Sequence, residues 1–177
     1  MMFYTCLKKK MEPLQTRYMF PQFVAQFPPV EMPVTLGADT HHIFIRENEP
    51  LPEDMIRQFI LPAEPDGTML DEFTEFVPCF SIENTGNFIA LVWWKAELLT
   101  YHYMLATFTD QGRLIDRRVI AHTIAGNGNV DRRVATINDE WEIFIAEGCT
   151  EDGQTGFDPT TSRTYVLEIM ANGEIVE

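Results

Sequence analysis

The sequence predicts a mainly β fold of β-rich α+β type. It forms an antiparallel meander of about eight strands, divided into two four-stranded units. Three observations carry this prediction. From about residue 73, apolar runs of strand length alternate with turn residues. Most of the connections are too short for a crossover helix, which favours antiparallel neighbours. The stretch YMLATFTDQGRLID (103–116) also aligns with YVLEIMANGEIVE (165–177) when one turn residue is gapped: Tyr103 matches Tyr165, Leu105 matches Leu167, Gly112 matches Gly173 and Asp116 matches Glu177. The units, 73–123 and 130–177, suit packed sheets, a half-barrel or a propeller-like stack. Two are too few to close a propeller ring.

One domain over 1–177 accommodates these elements. Residues 1–35 read as an aromatic, proline-punctuated N-terminal arm, in which PQFVAQF makes two helical turns with Phe20, Phe23, Val24 and Phe27 on one side. Each proline of PPVEMPV then enforces an extended path. HHIFI reads as a strand starting at His41. One short helix is expected over 50–61, because Pro52 suits the first helical position, Glu53 and Asp54 suit the N-terminal dipole, and Met55, Ile56, Phe59 and Ile60 form an apolar stripe that Pro62 ends. AEPDGTMLDE reads as a loop. EFVPCFSIE, FIALVWW, LLTYHYMLATFT and RLIDRRVIAHT are strands of the first unit, and VDRRVATI, WEIFIAEG, RTYVLEIM and EIVE those of the second. The pattern is broadly similar to bacterial β-meander domains, a likeness that transfers no residue's role.

The chain carries a net charge of -14. Residues 1–37 hold four basic and two acidic groups, 38–100 three and twelve, and 101–177 six and thirteen. Such a surface repels phosphate backbones, so no nucleic-acid partner is expected, and basic proteins are favoured electrostatically. Cys6, Cys79 and Cys149 are odd in number and lack zinc spacing, which predicts reduced thiols and no metal. In MMFYTCLKKK the basic residues follow the apolar run, the reverse of a secretory signal, and no stretch reaches the length of a spanning helix. A soluble, cytoplasmic chain with no membrane partner is the expectation.

DRRVIAHTIAGNGNVDRR (116–133) is the first candidate site. Its glycines fail as a dinucleotide loop because no third glycine or helix follows, as a Walker loop because no lysine follows, and as a calcium loop because Arg132 stands where the bend needs glycine. They read as a turn. If strands 113–123 and 130–137 pair so that opposite residue numbers sum to about 253, Asp131 faces His122, and Arg118 and Arg133 lie diagonal to each other. The first reading is a set of cross-strand pairs with the abundant Asp and Glu; the functional alternative is that paired guanidiniums there hold a carboxylate or phosphate. His122 with Asp131 would resemble an acid/base pair, but no nucleophile motif accompanies it. Trp93 and Trp94 face opposite sides of one strand, so one is core and the other meets a second layer, a ligand or solvent. Cover by the N-terminal arm is the first reading, and an exposed ring would instead serve as a partner anchor.

No cofactor motif and no catalytic constellation emerges, so an enzyme is not favoured. The expected function is a non-catalytic binding module for a basic protein, of inhibitor or immunity type. The alternative is a protein that binds, or acts on, a small anion at Arg118, Arg133, His122 and Asp131.

Overall fold

The computed structural model describes residues 17–65, 67, 68, 70–151, 158 and 160–177. Eight strands follow one another in meander order: β2 (Glu75–Ile82), β3 (Ile89–Glu97), β4 (Thr100–Phe108), β5 (Leu114–Gly126), β6 (Asn129–Ile137), β7 (Glu142–Glu151), β8 (Arg163–Ile169) and β9 (Ile175–Val176). Every pair is antiparallel. A ninth strand, β1 (Val34–Leu36), pairs with β6 opposite Ala135–Ile137, where β5 no longer accompanies it. The meander therefore matches the expectation, with β1 as an addition.

Turn chemistry sets the register. Asn127 and Gly128 both have positive φ, as a two-residue hairpin turn requires, and they place Gly126 opposite Asn129. The 103–116 and 165–177 hairpins make the same two turn bonds. Gly112 N–H donates to Thr109 O and Thr109 N–H to Arg113 O, while Gly173 N–H donates to Met170 O and Met170 N–H to Glu174 O. The related hairpins also meet. Thr107 Oγ1 donates to Gly173 O at 2.6 Å, Ile175 N–H donates to Asp116 Oδ2 at 2.9 Å, and Arg118 donates to Ile175 O at 3.1 Å.

Among the described residues there are three helices, where the sequence predicts one helix and two helical turns in the arm. α1 (Phe20–Val24) lies in the arm as the PQFVAQF reading predicts. α2 (His41–Glu47) replaces the strand expected at HHIFI. That stretch has no ladder neighbour, Thr40 closes a local turn onto Gly37, and only Phe44 is buried, against Phe80 and Tyr103. α3 (Glu53–Met55) continues through a widened π turn over Ile56–Ile60 and a tight turn over Leu61–Ala63. Pro62, with no N–H for Gln58 O, follows the widened turn and does not end the run.

Two apolar clusters result. One face of β2–β4 presents Phe76, Leu91, Trp93, Met104, Ala106 and Phe108 to Phe20, Phe23, Phe27, Met55 and Ile60. The other cluster holds Phe80, Val92, Trp94 and Leu105 together with Ile137, Ile143, Ile145 and Leu167. The first three strands are thus buried on both faces, which explains why FIALVWW is a continuous apolar run. The β2 edge is closed by the arm and by α2. Ser81 N–H donates to Pro28 O, and the Asn48 amide donates to Pro78 O and Cys79 O at 2.7 and 2.8 Å. Cys79 is buried, which pushes its thiol well above the usual range; Cys149 is partly exposed, and both are free thiols. Cys6 lies outside the described residues. No helix among the described residues is long and apolar enough to cross a membrane.

Gly112 sits at φ +80, and a Cβ there would lie 2.6 Å from the Phe20 ring. Gly112→Ala should therefore cost about 2–3 kcal/mol, read as a lower urea midpoint at unchanged slope.

Candidate functional site

The hairpin of β5 and β6 corrects the predicted register by two residues. His122 stands opposite Arg133, and Asp131 opposite Ile124. His122 and Asp131 still meet on the diagonal, Nε2 to Oδ2 at 3.2 Å. The two arginines do not converge. Arg118 pairs with Leu105 of β4, in a part of β5 that β6 does not accompany. Its guanidinium contacts Asp116 at 3.3 Å and Ile175 O. Arg133 donates to Glu147 at 2.5 Å and to Val119 O at 2.7 Å. Each is satisfied by its own carboxylate and carbonyl, so the shared anion site is not formed.

Neither tryptophan is an exposed anchor. Trp93 is 0% exposed, and its indole N–H donates to Glu64 Oε1 at 2.8 Å. Trp94 stacks on His41 (ring centroids 4.7 Å) and on Tyr101 (5.8 Å), and is 5% exposed. Because they alternate across a strand covered on both sides, both rings are core.

The corrected register reveals a row that the sequence does not show. Lys95 pairs with His102, His102 with His122, His122 with Arg133, Arg133 with Glu147, and Glu147 with Arg163. Directly opposite residues share a face, so six titratable side chains cross β3 to β8 side by side. Glu64 closes one end. Its carboxylate receives Trp93 and lies 3.3 Å from Lys95 Nζ and 3.5 Å from His102 Nε2, which has no nearer partner. Lys95 also reaches Glu97 at 2.9 Å, and Arg117 donates to Glu64 O. Burial raises the Glu64 carboxyl, yet hydrogen bonding with His102 and Trp93 and the charges of His102 and Lys95 hold it below its ordinary value. Burial, and then the Arg133 guanidinium, push the His122 imidazole below its ordinary value against the pull of Asp131 and Glu147. At the far end Glu147 binds Arg133 and Arg163, with Tyr165 beside both cations. The row runs from the interior at Glu64, Lys95 and His102 to the surface at Arg163, and its charged groups are engaged mainly with one another. It ties helix to sheet.

A second arrangement is open. Residues from the arm (Pro29–Met32), the end of β2 (Ile82–Asn84) and the β6–β7 turn (Asp139, Trp141) wall a cleft of about 520 Å³. Its carboxylates are Glu31, Glu83 and Asp139, and its apolar walls are Val30, Met32 and Trp141. Trp141 adopts φ +66, unusual for so large a residue. The Asn138 side chain, accepting from the N–H groups of Glu140 and Glu142, fixes that turn, and an edge contact with Phe88 fixes the ring. No ion pair among the described residues engages the three carboxylates. The sequence signals this cleft only as charges scattered over three distant segments.

Comparison with protein-family models, with curated proteins and with solved structures finds no match for the chain.

Two outcomes follow from the buried row. Glu64→Leu strands Lys95 in the interior with only Glu97 and should cost about 3 kcal/mol, part of which Lys95→Met in the same chain restores; urea unfolding of the two single variants and the double variant reads this. The depressed His122 value makes the folded state bind fewer protons than the unfolded state, which titrates near pH 6.5. Stability should thus decline as pH falls from about 6.5 through the depressed folded value. His122→Gln should flatten that part of the profile, leaving the Glu64 contribution to be lost at lower pH.

Proposed function

We propose that the protein is a non-catalytic binding module for a basic protein partner, and that the Glu31/Glu83/Asp139 cleft receives a lysine or arginine side chain of that partner. The observation that carries this reading is the division between cations that carboxylates already hold and cleft carboxylates that no ion pair among the described residues engages. Lys95, Arg118, Arg133 and Arg163 are held by Glu64, Asp116 and Glu147, and Arg46 and Arg57 by Glu47 and Glu53. Glu31, Glu83 and Asp139 line an open cleft instead and enter no ion pair among the described residues. A concave site of this size with an indole wall and three anions suits an extended cation, whose stem packs on apolar surface while its head meets charge. An acidic surface also accelerates encounter with a basic protein.

A lysine-rich peptide tests this by titration calorimetry at low and high salt. Binding should weaken with salt, and Glu83→Gln with Asp139→Asn should lower affinity by about tenfold, in line with the loss of one or two charge-assisted bonds. Affinity that is indifferent both to salt and to the two substitutions overturns the reading.

A further inference from the structure

Where β9 does not reach it, β8 is an open edge among the described residues. Ile169 N–H donates to Trp141 O, so in this antiparallel ladder the bonded pairs with β7 are those of Leu167, Tyr165 and Arg163. The N–H and C=O groups of Thr164 and Val166 therefore point away from β7. β9 covers only Glu168 and Ile169, and no backbone bond among the described residues engages Thr164 or Val166.

Beside this edge lies an apolar groove of about 430 Å³ formed by Val134, Thr136, Phe144, Ala146, Thr164 and Val166. These side chains share a face because they pair across β6, β7 and β8. Phe144 is 47% and Val166 40% exposed. The same face ends in Glu142 directly opposite Glu168, and like charges placed so repel unless a cation joins them.

We propose that β8 accepts an extended segment of a partner protein as an added strand. The segment pairs its backbone with Thr164 and Val166, lays alternate apolar side chains against Val166 and Phe144, and places a basic residue at Glu142 and Glu168. The basic residue rests on the function proposed above; the strand pairing does not. Backbone bonds supply affinity in such additions, and the alternate pockets supply selectivity. A second copy of the chain is disfavoured by its own charge of -14.

The test uses the whole protein and three short peptides: one with valine at alternate positions and lysine at one end, its counterpart with serine for lysine, and a counterpart N-methylated on the amides that would face β8. The lysine peptide should slow hydrogen exchange at the Thr164 and Val166 amides, and the N-methylated peptide should bind about tenfold more weakly, as the loss of two hydrogen bonds implies. Val166→Pro removes an outward N–H without breaking a bond to β7 and should abolish the protection. The peptide comparison stands even if that variant unfolds. Equal binding of the methylated peptide, or no slowing at these two amides, overturns the proposal. If the serine peptide protects both amides as well as the lysine peptide, and Glu168→Gln changes nothing, strand addition stands and the basic partner falls. If the lysine peptide responds only to Glu83→Gln and Asp139→Asn, the basic partner stands and strand addition falls.

Discussion

The carboxylate of Glu64 is the constraint on which the rest of the structure depends. It enters the interior at the end of the α3 run and meets the indole of Trp93, the ammonium of Lys95 and the imidazole of His102. A buried ion is costly unless every lone pair and proton is answered. Here the answering groups come from two strands, while the Glu64 carbonyl takes Arg117 from a third. The helix can therefore sit on the sheet in one place only. Apolar packing of Met55 and Ile60 against the same face would tolerate sliding, whereas this contact does not.

From Lys95 the polar row continues across the sheet, and its order has a physical logic. Cations lie at Lys95, Arg133 and Arg163, with two imidazoles and Glu147 between them and Glu64 beside Lys95. The row favours this register, because a slip of one residue would turn each of its side chains to the other face and break the pairs Lys95–Glu64 and Arg133–Glu147. The two related hairpins add a second lock where Thr107 and Asp116 of one receive the backbone of the other.

What the sequence made legible is whatever depends on nearest neighbours. The meander, the turns at Gly112 and Gly173, the repeat and the arm helix at Phe20 all arise from local alternation or from a single glycine. HHIFI misled because a short run of β-branched and aromatic residues suits a strand or a helix turn alike, and whether a strand partner exists is a fact about the whole fold. The 116–133 site failed by a two-residue register error: treating Gly126 and Asn129 as loop instead of ladder was enough to bring Arg118 near Arg133 on paper. Glu64 lay in a segment that reads as loop, and Lys95 looked like a lone charge at the end of an apolar strand. Neither announces its partner, since their pairing spans residues far apart in the chain. The cleft was illegible for the same reason, its three acids belonging to the arm, the end of β2 and the β6–β7 turn.

The two edges of the sheet are unequal. At β2 the Asn48 amide and the Pro28 carbonyl occupy backbone groups from Pro78 to Ser81, where Pro78 itself has no N–H to offer. At β8 the groups of Thr164 and Val166 remain available. A sheet that can lengthen at only one end cannot propagate. Head-to-tail stacking, the step that turns sheet edges into fibres, needs a free donor edge on one molecule to meet a free acceptor edge on the next. Because the outer rim of β2 is capped from Pro78 to Ser81, the exposed stretch of β8 on one molecule finds no matching groups there on the next, and head-to-tail stacking of β8 on β2 is blocked at that stretch.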